Sequence, residues 1–403
     1  MNKVRFVFGN GLAMWVASLA TVVLAGIPSA GAQSWNIKES GEWETASNWT
    51  PENVPNAVDA TATLGEVIAE SQTISVAKQV TIGTLNFKSD IRYTVSGGNM
   101  DFDVKSGSAQ INVAGAGDLE KGHSISSSIS LHDDLVINVS KGSALAITGS
   151  IATNIKMDDP LDPEAQDEGG GRAKTLTVSA DGSARLDGPI SGSAAFLKDG
   201  RGEVVLGGTD ANTFTGGTTV TSGTLALNKT PEQNAVGSGM ILLNSGGTLL
   251  LENAGQIGNS TPLTLAGGTL STGAGFEETL GALTLSSDST ISLGSAIHLL
   301  TFGAANLASW SSVAKLTVYG WEGLAGEQGS AGRILFASLP SFTSSQLANI
   351  SFAGGYGSGA MVLASGELVP HAVPETRTLA AALLIIVSLA ITEYARVRAR
   401  RHS

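Results

Sequence analysis

A short triplet recurs along this chain at a nearly fixed step. Gly223-Thr224-Leu225, Gly247-Thr248-Leu249 and Gly268-Thr269-Leu270 follow one another at steps of 24 and 21 residues, and related triplets stand at Gly83-Thr84-Leu85 and Gly281-Ala282-Leu283. Self-similarity at a period of roughly 20–25 residues is the mark of a stacked architecture, because one such unit is too small to bury its own apolar face. Each triplet opens a run with strand periodicity. Leu225 and Leu227 share one face, as do Leu283 and Leu285, and further on Ile291 and Leu293. β-branched runs such as Thr218 to Thr221 suit a pleated ladder. Gly-Gly and Ser-Gly pairs between the runs suit tight corners.

The spacing therefore predicts an all-β fold, a parallel β-helix (solenoid) over 75–300. Leu225, Leu249, Leu251, Leu265, Leu270, Leu283 and Leu285 should point inward. A β-sandwich of short strands is the competing architecture, but it does not require a repeated triplet at coil spacing. Composition agrees with stacked strands and many turns. Among 403 residues there are 51 glycines, 5% aromatic and 14% charged residues, and no cysteine. Without cysteine there is no disulfide framework, so stability must come from stacking. The formal net charge of −12 argues against nucleic acid as a partner, since binding phosphates needs a cationic surface.

One stretch carries a resemblance. Phe196-Leu197-Lys198-Asp199-Gly200 is followed by Asn212-Thr213-Phe214-Thr215-Gly216-Gly217-Thr218-Thr219-Val220 and then Gly223-Thr224-Leu225. It resembles the autotransporter-associated β-strand repeat, with Val205 where leucine is commoner. The Trp-rich opening, Trp43 to Trp49 and then Val54-Pro55, is similar to segments that often begin such proteins. The resemblance implies a right-handed β-helical passenger region of a surface or secreted protein. About 70 residues between Leu300 and Pro370 are too few for a 12-stranded translocating barrel.

The two ends read as targeting segments. Lys3 and Arg5 precede an apolar stretch from Gly11 to Ile27, and Ala30-Gly31-Ala32 is a small-x-small pattern. This predicts a secretory signal peptide over 1–32, cleaved between Ala32 and Gln33. At the other end, Val373-Pro374-Glu375 precedes an apolar run from Leu379 to Ile391, followed by Arg396, Arg398, Arg400 and Arg401. That order resembles the PEP-CTERM sorting signal of Gram-negative, biofilm-forming bacteria, with Thr376 where a second proline is usual. The resemblance implies an exosortase-type membrane protease as a partner, beside the secretion machinery. The run is short of the ~20 residues of a comfortable span. A membrane helix from about Thr376 to about Arg396 is nonetheless expected, with the four arginines held in the cytoplasm and the solenoid outside. A plain tail anchor is the alternative.

The domain organisation read from the sequence is thus a signal peptide (1–32), a Trp-rich cap (33–74), solenoid repeats (75–300), a further β region (301–370) and a sorting tail (371–403). Trp35, Trp43 and Trp49 are expected to plug the open end of the stack rather than to stack on sugars. The segment 157–171 carries Asp158, Asp159, Asp162, Glu164, Asp167 and Glu168 among prolines and glycines. It lacks the ligand order of known Ca²⁺ loops and reads as a solvated insertion. Asp133-Asp134 and Glu277-Glu278 are isolated acid pairs expected at corners, and the five histidines lack metal-ligand spacing. No catalytic, metal or cofactor residue is assigned, and none is needed for the expected role. That role is an exported structural or adhesive solenoid of the envelope or matrix, with extracellular polysaccharide as a partner. A polysaccharide-active β-helix enzyme is the alternative, and it would need carboxylates converging on one face. Replacing Arg396, Arg398, Arg400 and Arg401 by serine is expected to weaken retention or scramble topology. Protease accessibility of the two ends on intact cells reads this, and an unchanged pattern would mean that the basic cluster does not set orientation.

Overall fold

The computed structural model describes residues 31–372 apart from 154–172, 274, 295–296 and 308, together with 387–389 and 391. Strands dominate, and nearly all of them pair with strands one coil away. Thr84–Lys88, Tyr93–Gly97 and Asn99–Phe102 form one coil. The next places Ser108–Ala114, His123–Ile125 and Ser128–Leu131 directly over them, in parallel. Repetition of this step builds, among the described residues, a first face of 14 strands, a second of 13 and a third of 5. The parallel β-solenoid expected from the triplets is the fold. A 3-10 turn at Ala46–Asn48 and a short helix at Ser344–Ala348 interrupt it, the latter started by a Thr343 capping box with Gln346.

Period-two alternation decides what faces inward. In Asp134–Val139 the side chains of Leu135, Ile137 and Val139 are buried, and the residues between them are not. These three stack on Ala109, Ile111 and Val113 of the coil before and under Leu176, Val178 and Ala180 of the coil after. Each fully buried aliphatic contributes roughly 1.5–3 kcal/mol through burial. All seven leucines expected to point inward are fully buried.

The triplets stack as their spacing suggests. Gly223, Thr224 and Leu225 lie over Gly247, Thr248 and Leu249; Thr269 and Leu270 follow, then Thr290 and Ile291. Gly223 turns with φ +66°, and a Cβ there would come within 2.5 Å of the carbonyl oxygens of Gly200 and Gly202, so the corner requires glycine. The triplets at Gly83 and Gly281, however, belong to the first face, where Leu85 pairs with Ile111 and Leu283 with Leu263. Sequence similarity thus joins strands from two different faces.

The ladder also runs beyond the repeats at both ends. Ala32–Trp35 already pairs in parallel with Thr61–Leu64, and Ile350–Phe352 still pairs in parallel with Leu316–Tyr319. Antiparallel segments close both ends. Trp49–Thr50 lies against the first strand, and Ala360–Val362 with Leu368–Pro370 forms a hairpin at the far end. Covering these edges occupies backbone groups that would otherwise recruit another chain. Trp43 and Trp49 are fully buried and Trp35 is 3% exposed, so none offers a face to a sugar. They meet edge to face at 5.2 and 4.8 Å, with the indole N–H of Trp49 donating to the Trp43 carbonyl and that of Trp43 to Pro55. At the far end, fully buried Glu367 holds Arg333 at 2.8 Å and accepts from the Gly329 N–H.

The expected membrane helix falls almost wholly outside the described residues, of which 387–389 and 391 are helical. No helix among the described residues is long and apolar enough to cross a membrane. Leu225→Asp places an unpaired charge between Val204 and Leu249, and Leu249→Ala leaves a cavity in the same row. The alanine change is expected to cost about 2–5 kcal/mol and the aspartate change more. Denaturant midpoints compared with the parent measure both.

Candidate functional site

With both ends closed, what the solenoid offers a partner is its lateral surface. On the second face the residues preceding the inward leucines form one column: Thr224, Thr248, Thr269, Thr290, Thr317 and then Ser351. All six are half-buried. Strand spacing sets their hydroxyls about 4.8 Å apart. Leu250, Ser271, Ser292 and Tyr319 form the parallel column beside them. From Thr224 onward neither column carries a charge; the rung before Thr224 is the exposed Glu203. The first face continues this chemistry with Thr219, Leu242 and Thr264. Nearer the start of the chain it carries an amide ladder, in which Asn138 donates to Asn112 at 2.8 Å and Asn112 to Asn86 at 2.9 Å.

Two fully buried lysines hold corners. Lys198, the lysine of the repeat-like Leu197-Lys198-Asp199-Gly200, is fully buried. Its ammonium donates to the carbonyls of Asp199 and Gly200 at 2.7 Å and of Ser222 at 3.1 Å, joining two coils. Burial pulls it down to about 8. Hydrogen bonds from the Thr221 and Ser222 hydroxyls hold the Asp199 carboxyl below the usual range. Lys229 repeats the device at another corner: it is fully buried, donates to the Gly207 carbonyl at 2.6 Å, and is drawn to about 8 by burial. Sequence reasoning missed Lys229. The available signal was a single cation ending the apolar strand Gly223–Lys229.

The acid pairs are likewise tied to backbone. Asp133 accepts from the Val104 N–H at 2.9 Å and meets Lys174 at 3.4 Å, and Asp134 accepts from the Thr175 N–H at 2.7 Å. Glu277 and Glu278 are not at a corner. They start the long strand Glu277–Ser287, Glu277 exposed and Glu278 only 3% exposed. On the third face Asp101 is buried among Gln79, Asn99 and His132. His123 is fully buried, stacked on Phe87 and hydrogen-bonded to Tyr93 N–H and Ser89 O; burial draws it to about 4. Among the described residues, no group of three or more His, Asp and Glu side chains could hold a metal ion.

A shallow open groove of about 500 Å³ runs along one corner, lined by Ser245, Ser286, Ser287, Asp288 and Ser311. Its polar atoms are occupied locally. Asp288 accepts from the Lys315 N–H, and the Ser311 hydroxyl accepts from the Val313 and Ala314 N–H groups.

Of the residues assigned from sequence, Ala32 and Gln33 lie in the first strand, with Gln33 buried and paired to Ala62. Val373, Pro374, Glu375, Arg396, Arg398, Arg400 and Arg401 lie outside the described residues, as does the acidic segment 157–171. Compared with known proteins, the chain matches no protein-family model, no curated protein sequence and no solved structure. Lys198→Met leaves three corner carbonyls without their donor, and about 1–3 kcal/mol of stability should be lost. Exposed Lys88→Met, as the control, should change it by less than about 0.5 kcal/mol. Denaturant unfolding of both variants measures the difference.

Proposed function

We propose that this chain is an exported structural or adhesive solenoid of a bacterial envelope or extracellular matrix, and that its uncharged hydroxyl-rich face contacts matrix polysaccharide. The observation that carries the reading is the in-register column Thr224, Thr248, Thr269, Thr290 and Thr317. It is a neutral strip on a strongly acidic chain. Sugar hydroxyls can exchange hydrogen bonds with a row of threonine hydroxyls, while the threonine methyls and Leu250 supply apolar contact. Affinity in such an arrangement is spread over many weak contacts rather than gathered in one pocket. Of the paired acids, Asp133, Asp134 and Glu278 are engaged with backbone N–H groups at separate places in the stack.

Export and anchoring rest on the signal-like start and the PEP-CTERM-like tail. In this reading the secretion machinery and an exosortase-type protease handle the chain before it reaches the surface. Thr248→Glu, Thr269→Glu and Thr290→Glu together convert the strip to an acidic one without touching an inward residue. The triple variant should reach the cell surface at the parent's level, yet be retained on matrix polysaccharide roughly tenfold less or worse, as expected when several weak contacts are lost together. Fractionation and matrix co-sedimentation measure this. Undiminished retention of a folded triple variant, or accumulation of the parent in the cytoplasm, would sink the reading.

A further inference from the structure

Within the uncharged strip one stretch differs in shape. Beside the threonine column, the second outward column reads Leu250, Ser271, Ser292 and Tyr319 on successive coils. Its two middle members are small and its end members large. At one strand spacing per coil, Leu250 and Tyr319 stand about 14 Å apart, with serine side chains between them. Thr269 and Thr290 flank the two serines in the neighbouring column, so hydroxyls line one long side of this depression.

The two ends differ in chemistry. Tyr319 is 49% exposed, and every other described aromatic ring is buried or half-buried. Its neighbours on the adjoining coils are small. Ser292 lies on one side, and on the other is Ala353, whose N–H donates to the Val318 carbonyl at 2.8 Å. The ring thus has nothing of its own size beside it in the column. At the opposite end, Leu250 and Glu252 border an open hollow of about 400 Å³ together with Asn228 and Gly273. The Asn228 side-chain amide donates to the Glu252 carboxylate and accepts from Asn253 at 2.9 Å, which holds the acid in place there.

Resting on the reading that the strip meets polysaccharide, we propose that the stretch from Leu250 to Tyr319 is a subsite for an extended, neutral, β-linked glucan lying along the solenoid axis, with Tyr319 as its anchor. A sugar ring whose hydroxyls are all equatorial has apolar C–H faces. Their slight positive charge suits the negative face of the Tyr319 ring. The same sugar directs its hydroxyls sideways, toward Thr269 and Thr290. Those hydrogen bonds replace bonds to water and add little net affinity, so the stacked ring carries the larger share. β-Linkage keeps successive rings in line, as a straight column of rungs requires, whereas an α-linked chain coils away. Glu252 accepts a sugar hydroxyl but repels a uronate, as does the exposed Glu203 before Thr224.

The test uses the full chain in detergent, sedimented with cellulose, with insoluble starch or with a cross-linked polyuronate. The parent should be retained on cellulose and clearly less on the other two. Tyr319→Ala should lower retention on cellulose by roughly tenfold, the scale of one lost aromatic contact. Tyr319→Phe should keep it, because the ring and not the phenol hydroxyl makes the contact. The position faces outward, so both variants should unfold at the parent's denaturant midpoint. Undiminished retention of Tyr319→Ala overturns the subsite, and it leaves the strip reading standing if the triple threonine variant is still impaired. Retention on starch or on the polyuronate equal to that on cellulose overturns the choice of sugar and with it the proposal. A parent retained on none of the three overturns both the subsite and the strip reading.

Discussion

Everything in this molecule depends on one coil hydrogen-bonding to the next in register. A parallel strand in a solenoid has no partner within its own coil, so its N–H and C=O groups are satisfied only by the coils on either side. That demand fixes registry more strictly than it fixes length. On the first face Asn86, Asn112 and Asn138 stack at intervals of 26 residues. Asp134 still reaches the Thr175 N–H across 41 residues, a span that includes the acidic segment. The rungs on either side of that segment stay in register, because a slip of one residue would turn every inward leucine outward.

The same demand explains the polar interior. In the early coils a third strand ladder satisfies the backbone along the third side. From Ala195–Asp199 onward that strand is missing, and side chains take its place. Asn212 and Gln256 bond to the backbone of adjoining coils there, Glu278 does so from the start of a first-face strand, and Lys198 and Lys229 gather carbonyls at the corners. A buried backbone group without a partner costs about as much as a lost hydrogen bond, and this outweighs burying five polar side chains that are each well bonded. Buried charges in this fold are thus structural.

A stack that uses its backbone internally and closes both edges has only side chains left with which to meet a partner. The outward columns are periodic because the inward ones are. Threonine suits both demands, being β-branched enough for a pleated strand and polar enough for water. A long neutral strip is therefore a by-product of the fold before it is a surface for recognition, and its reach grows with each added coil.

The chain by itself determined the alternation, the coil period and the corner chemistry. Leu225, Leu249 and Leu270 were legible as a buried row because period two and a repeated glycine corner are local properties. The charge pattern and the two terminal segments were also open to reading, and they carry the proposals about export. Tertiary structure decided what depends on which strand lies above which. The five triplets divide between two faces because both faces use the same local code. Among the described residues the ladder runs from Ala32 to Phe352, beyond where the triplet occurs, because pairing needs registry rather than sequence likeness. Glu278 and Lys229 look like ordinary surface charges in the sequence. Only the stack, by bringing residues 22 apart into contact, makes them members of its interior.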